Sequence, residues 1–210
     1  MTTVYLIKHA EELAENGQLL IRESSQAINE KKILSVDGEK QALKLSQHPQ
    51  LQHLSAIWSS SFARAKGTAK YLAAANNLPL NIDERLNERT LGNLDEIAQW
   101  MKNKTYGIVQ EYLLNPDWHT SDGESCHQAR KRIEDFVYQH LSEDSGKAIA
   151  LVSHGAILSF LLANFCQLDD QGQLVHDSQI IEIKEPSITK LVFDDLKFVS
   201  LEMIDWENNS

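Results

Sequence analysis

Two histidines in this chain each stand directly after an apolar, strand-like run and directly before a helix start. They close Val4-Tyr5-Leu6-Ile7-Lys8-His9 and Ile149-Ala150-Leu151-Val152-Ser153-His154-Gly155. Runs so dense in aliphatic and β-branched residues suit strands buried on both faces, and such strands belong to a sheet covered by helices. In an open α/β sheet the ligand crevice lies outside the carboxyl ends of the parallel strands, so the two imidazoles are expected to share one crevice. A third junction, Ile57-Trp58-Ser59-Ser60, runs into a helix whose first turn carries Arg64 and adds a fixed cation to the same edge.

The rest of the chain keeps this alternation. Asp37 is placed to cap a helix to about Gln47 that Pro49 ends, and Ala56 to Ser60 reads as a strand. Phe62 to Asn76 is an alanine-rich helix, and Pro79 to Ile82 a brief strand before a charged loop. Asp95 to Leu114 reads as helical with a break near Thr105 and Gly107. Ser121 and Glu124 have capping-box spacing for a helix to about Leu141. Lys147 to Ser153 is a buried strand with Ala156 to Gln167 as its helix. Three strand-like stretches follow, Gln179 to Lys184, Ile188 to Phe193 and Phe198 to Ile204, close enough to be antiparallel neighbours. The sum is an α/β chain: a three-layer α/β/α domain with a mostly parallel mixed sheet.

With 210 residues, 42% of them hydrophobic and 24% charged, the chain suits one domain over residues 1–210. Twenty Lys and Arg against thirty Asp and Glu give a formal charge of -10, which opposes binding to nucleic acid or anionic lipid. A small anionic ligand remains compatible, in a pocket expected to be a positive island. Cys126 and Cys166 are two lone thiols with neither disulfide nor zinc spacing, and no cofactor or metal is called for. The most apolar segment, Ala156 to Phe165, is too short to span a bilayer, and no leader-like segment opens the chain. The expectation is a cytoplasmic protein with no nucleic-acid or membrane partner, and homo-oligomerisation stays open because the sheet edge is not fixed.

Histidine can act as a neutral nucleophile near pH 7, since its ordinary pKa is about 6.5. His9 would attack phosphorus through one ring nitrogen, with the other held by a backbone carbonyl in the following loop. Charge developing on the phosphoryl group then needs preorganised cations, for which Lys8, Arg64 and His154 are the candidates. Arg64 also stands where free helix N–H groups favour an anion, and its planar fork can hold two phosphate oxygens. Each residue alone fits an ordinary loop or surface position. Their equivalent topological placement is what singles them out.

These residues fall in motifs that resemble the histidine phosphatase superfamily, the phosphoglycerate mutase-like branch 1. The opening Arg-His-Ala-Glu element matches Lys8-His9-Ala10-Glu11 except at the lysine. Ser59-Ser60, Arg64-Ala65 and Thr68-Ala69 match the second motif, and Leu86-Asn87-Glu88-Arg89 with Gly92 the third. Gly123-Glu124-Ser125 and Val152-Ser153-His154-Gly155 complete the order, from residue 3 to residue 193. The resemblance implies that His9 is the phosphoacceptor, that Arg64 and His154 bind the phosphoryl group, and that Glu88 gives a proton to the leaving oxygen. An acid in this role needs to hold its proton near neutral pH, for which partial burial is one general means. From the residues alone Glu88 is not distinguished from Glu84, Glu96 or Glu124, and Glu124 is assigned to the helix cap.

The opening loop departs from the family pattern. Lys8 replaces a bidentate arginine with a single-point cation. Glu12 falls where members carry a small residue, and an inward carboxylate there would repel substrate. The expected asparagine stands displaced, at Asn16. With Lys8, Asn16, Arg64 and Arg89 as substrate-binding residues, the implied activity is hydrolysis of a small phosphorylated metabolite through a phosphohistidine. Two alternatives stay open, a catalytically weakened phosphate-binding or regulatory protein and a phosphoglycerate mutase-type phosphotransferase. Pro186-Ser187-Ile188-Thr189 resembles the phosphatase element and favours hydrolysis. The alcohol specificity is expected from residues 18–32, which include Arg22, and from the connections around Asn103 to Tyr106 and Trp118 to Ser121.

Overall fold

Alternation along the first strand organises the molecule. In the computed structural model, which describes residues 1–14 and 25–207, β1 (Thr2–Lys8) turns Val4 and Leu6 to one face of a sheet and Tyr5 and Ile7 to the other. All four are buried, as expected of a strand covered on both sides.

The sheet has six strands. Besides β1 these are β2 (Ala56–Ser59), β3 (Leu80–Ile82), β4 (Ala148–Ser153), β8 (Ser187–Asp194) and β9 (Lys197–Ile204), in the order β3-β2-β4-β1-β8-β9. The first four run parallel, and β8 and β9 close the edge antiparallel. One face packs on α2 (Val36–Ser46) and α3 (Ala63–Asn76) through Leu45, Ala65, Ala69 and Leu72. The other packs on α6 (Cys126–Glu143) and α7 (Gly155–Leu162) through Ile133, Phe136, Leu158 and Phe160. A fully buried leucine such as Leu151 is worth about 2–5 kcal/mol against alanine in such a core.

Several sequence expectations are corrected. The N-cap of α2 is Ser35, whose side chain accepts from Gly38 N–H, and Asp37 lies inside the first turn. The capping box of α6 is Ser125 with Gln128, one turn later than the Ser121 and Glu124 spacing suggests. Glu124 instead takes both Arg132 Nε and Nη2, at 2.8 and 2.9 Å. The break near Thr105 and Gly107 is real and separates α4 (Leu94–Met101) from α5 (Ile108–Leu114). A helix, α1 (Ser25–Lys31), lies within residues 18–32, and α7 stops at Leu162 rather than Gln167. Gln179 to Lys184 does not join the main sheet. Its strand, β7 (Gln179–Ile181), pairs with β6 (Leu174–His176), which pairs with β5 (Gln167–Leu168), forming a separate three-stranded sheet.

Candidate active site

Register alone brings the two histidines together. In the β1–β4 pair Lys8 lies opposite Ser153, so the next residues, His9 and His154, leave the sheet side by side. Their ring centroids are 5.1 Å apart. Ser59 of β2 lies opposite Val152 of β4, which sets Ser60 at the same edge.

Arg64, in the first turn of α3, reaches back so that its Nε donates to His9 Nε2 at 3.0 Å. His9 Nδ1 stands 2.8 Å from the Ala10 carbonyl, and a carbonyl only accepts, so Nδ1 carries the proton and Nε2 holds the lone pair. Burial pushes the His9 pKa down to about 3, helped by the Arg64 guanidinium and opposed by the Ala10 carbonyl. The imidazole is therefore neutral at physiological pH, with its nucleophilic nitrogen toward Arg64.

His154 is fully buried, and burial, with His9 and Arg64 nearby, holds its pKa well below the ordinary value. Its Nε2 lies 2.7 Å from Ser60 Oγ, which gives its own proton to Asn87 Oδ1 at 3.0 Å and accepts from Phe62 N–H at 3.1 Å. Ser60 has one proton only, so Nε2–H of His154 is the donor. Nδ1 is left buried without a partner.

Glu88 is fixed by backbone amides. Its Oε1 accepts from Arg89 N–H and Ile157 N–H at 2.9 and 3.1 Å, and its Oε2 from Ala156 N–H at 3.1 Å. Two of these donors open α7, whose cap residue His154 makes no side-chain cap, so Glu88 satisfies otherwise orphaned N–H groups. Oε2 carries the single partner and is the freer oxygen. The loop bearing Glu88 is anchored at Gly92, which has φ +68° and where a Cβ would stand 2.0 Å from Thr120 Oγ1.

His9, Arg64, Glu88, Lys8 and Arg89 line one cavity of about 340 Å³. Arg89 is buried, its guanidinium 3.8 Å from the Tyr112 ring centroid and its Nη1 without a partner. Asn16 and Arg22 lie outside the described residues. Sequence reasoning missed three side chains. Asn29 of α1 accepts from both terminal nitrogens of Arg64, through its carbonyl and its Oδ1. Glu185 stands 3.2 Å from Lys8 Nζ and accepts from Glu12 N–H at 2.9 Å. Ser60 supplies the partner of His154. The paired serines were legible as a motif, whereas nothing local marks Asn29 or Glu185.

The expected positive island is corrected. Lys8, Arg64 and Arg89 are matched in the cavity lining by Glu12, Glu88 and Glu185. Glu12 does point inward, with Oε2 3.3 Å from Arg64 Nε and Oε1 2.9 Å from Lys32 Nζ. The connections expected to shape specificity lie elsewhere, since Trp118 stacks on Trp100 at 3.8 Å and α5 contributes Ile108 and Val109 to the cavity instead. Among the described residues, no group of three His, Cys, Asp or Glu side chains is placed to hold a metal ion, and no helix is long and apolar enough to cross a membrane.

The family model for the histidine phosphatase superfamily, branch 1, matches residues 4–205. The chain belongs to that superfamily. Among its relatives is a probable phosphatase of Schizosaccharomyces pombe, 31% identical over 171 residues. The match covers 76% of this chain and 55% of the yeast protein, so the chain spans little more than half of that relative. A probable phosphoglycerate mutase GpmB of Cronobacter sakazakii is 26% identical over 80% of this chain and 76% of its own. Among solved structures, mycobacterial glucosyl-3-phosphoglycerate phosphatase superposes with a TM-score of 0.69 at 21% identity, covering 96% of this chain and 97% of that one. That likeness shows the phosphoglycerate mutase-like fold. Of the residues in the histidine phosphatase motifs, Lys8, His9, Arg64, Glu88, Arg89 and Gly155 line the cavity, and His154 is fully buried beside His9.

Proposed function

We propose that this histidine phosphatase family member hydrolyses small phosphomonoesters through a phosphohistidine. The observation that carries the reading is a buried, neutral His9 whose Nε2 lone pair faces Arg64, the fork that would hold the phosphoryl oxygens. On binding, Arg64 turns its donors from Asn29 and His9 to the phosphoryl group. Nε2 attacks phosphorus, a P–N bond forms, the ester P–O bond breaks, and Glu88 gives a proton to the departing alkoxide. Water then attacks phosphorus and yields its proton to Glu88. The P–N bond breaks and inorganic phosphate leaves.

His154 spends its one N–H on Ser60. A bound dianion favours a second proton on its unpartnered Nδ1, which makes this ring a hydrogen-bond donor to the phosphoryl oxygens when substrate is present. Lys8 and Arg89 complete the cationic lining. Hydrolysis is preferred to mutase-type transfer on the Pro186-Ser187-Ile188-Thr189 element.

A second reading, a phosphate-binding member without turnover, draws on Glu12 and Asn29 occupying Arg64. Hydrolysis of p-nitrophenyl phosphate by the wild type and His9→Ala separates the two. The variant is expected to lose turnover and the acid-labile phosphoprotein seen after rapid quench. Equal rates in both proteins would exclude the phosphohistidine route.

A further inference from the structure

A second concavity, of about 520 Å³, opens beside the catalytic cavity and shares Lys8, Val109 and Gly155 with it. Residues of α5, α7 and the small β5–β7 sheet enclose it. The small sheet is held there by a close approach, because Gly172, at φ +75°, would place a Cβ 2.7 Å from the Gln110 carbonyl oxygen of α5. Only glycine suits both that backbone and that gap. At the shared boundary stands Gly155, where a Cβ would meet the Lys8 side chain at 3.5 Å.

The chemistry of the walls is specific. Leu113, Leu174, Ile181 and Ile183 give apolar surface, and Gln110 and Gln173 give neutral amides. The charges are the Lys8 ammonium, already engaged by Glu185 at 3.2 Å, and the exposed Glu182 carboxylate, paired with Lys184 at 3.4 Å. A volume of this size suits a small organic group. A carboxylate entering it would lose its hydration and meet no unpaired cation in the lining, whereas methylenes would each gain up to about fourfold in affinity on burial.

Resting on the phosphate-site reading above, we infer that this space receives the alcohol half of the substrate. The substrate class is a phosphomonoester of an uncharged, partly apolar alcohol, not of a hydroxy acid. Leu174 and Ile181 set the depth of the subsite, and the two glutamines match its hydroxyl groups.

Non-hydrolysable phosphonates test this without requiring turnover. Calorimetry on the full chain should show hexylphosphonate binding at least about tenfold tighter than methylphosphonate, with 6-phosphonohexanoate losing that gain. Ile181→Trp, and the more exposed Ile180→Trp should the first fail to fold, should erase the hexyl advantage while methylphosphonate affinity holds. Equal binding of methyl and hexyl compounds, tighter binding of the carboxylated one, or parallel loss of both in the tryptophan variants would overturn the subsite. If neither phosphonate binds, the phosphate-site reading fails and takes the subsite with it. If the hexyl advantage stands while no phosphomonoester is turned over, the subsite holds and hydrolysis alone is refuted.

Discussion

Glu12 offers the sharpest test of the phosphate site, because its carboxylate sits where an incoming anion must go. Its Oε2 is 3.3 Å from Arg64 Nε, and the side chain is 30% exposed. A phosphoryl group held by the Arg64 fork would lie roughly 5 Å from that carboxylate, a repulsion of about 3 kcal/mol per unit charge at an effective dielectric of 20 and about 1 kcal/mol in bulk water. Partial exposure favours the lower part of that range, about 1–2 kcal/mol, or roughly 5–30-fold in affinity. Glu12→Gln keeps the shape and an oxygen for Lys32 and removes the charge. The inhibition constant of inorganic phosphate against p-nitrophenyl phosphate hydrolysis should therefore fall by that factor, and the difference should shrink as salt screens the partly exposed group. Calorimetry with phosphate reads the same quantity if turnover is weak. Unchanged or weaker phosphate binding in Glu12→Gln at every salt concentration would refute an anion site centred on Arg64.

Glu88→Gln removes the proposed proton donor and should lower kcat for an alkyl phosphate by about 10²–10⁴, but far less for p-nitrophenyl phosphate, whose leaving group needs little protonation. Equal losses for both would assign Glu88 to capping α7 alone. Ser60→Ala strands the buried His154 Nε2–H and the Phe62 N–H, at a cost of about 1–3 kcal/mol, or roughly 2–10 °C in Tm for a chain of this size. An unchanged melting curve would contradict that network. Because folding lowers the His9 pKa from 6.5 to about 3, the folded protein binds fewer protons across that window, so its contribution to stability is intact above 6.5 and is lost as pH falls toward 3. Nitrogen-15 shifts of His9 should therefore remain those of a neutral imidazole at pH 5, and an inflection near 6.5 would contradict the buried placement.

The main sheet was legible because its central strands are unbroken aliphatic runs and α3 is rich in alanine; such segments state their own structure. The small sheet was not. Its strands are two or three residues long, Leu168 and Ile180 are exposed, and its position depends on Gly172 meeting the α5 backbone, a contact between distant segments. The caps failed for a related reason. Ser121 with Glu124 and Ser125 with Gln128 both fit one spacing rule, and the choice is made by Arg132, which engages Glu124 from a turn further along α6.

In the site, the same division separates the strand-end residues from the carboxylates. His9, Arg64 and His154 could be paired from topology, since the two histidines directly follow buried strands and Arg64 stands in the first turn of the helix after a third. Glu185 meets Glu12 across 173 residues of sequence, and no pattern near either announces the meeting. The consequence reaches function. Asn29 and Glu12 set three oxygens around the Arg64 guanidinium, the kind of atom a phosphoryl group presents, and three cations face three carboxylates in the cavity. An anion cannot simply add to such a site; it must replace those internal oxygens. Affinity then depends on the difference between a phosphoryl group and its internal substitute, which makes the phosphate end a weak discriminator among esters. Selectivity is left to contacts outside that end, and the neighbouring cavity, with its leucines, isoleucines and glutamines, is where a leaving group can make them.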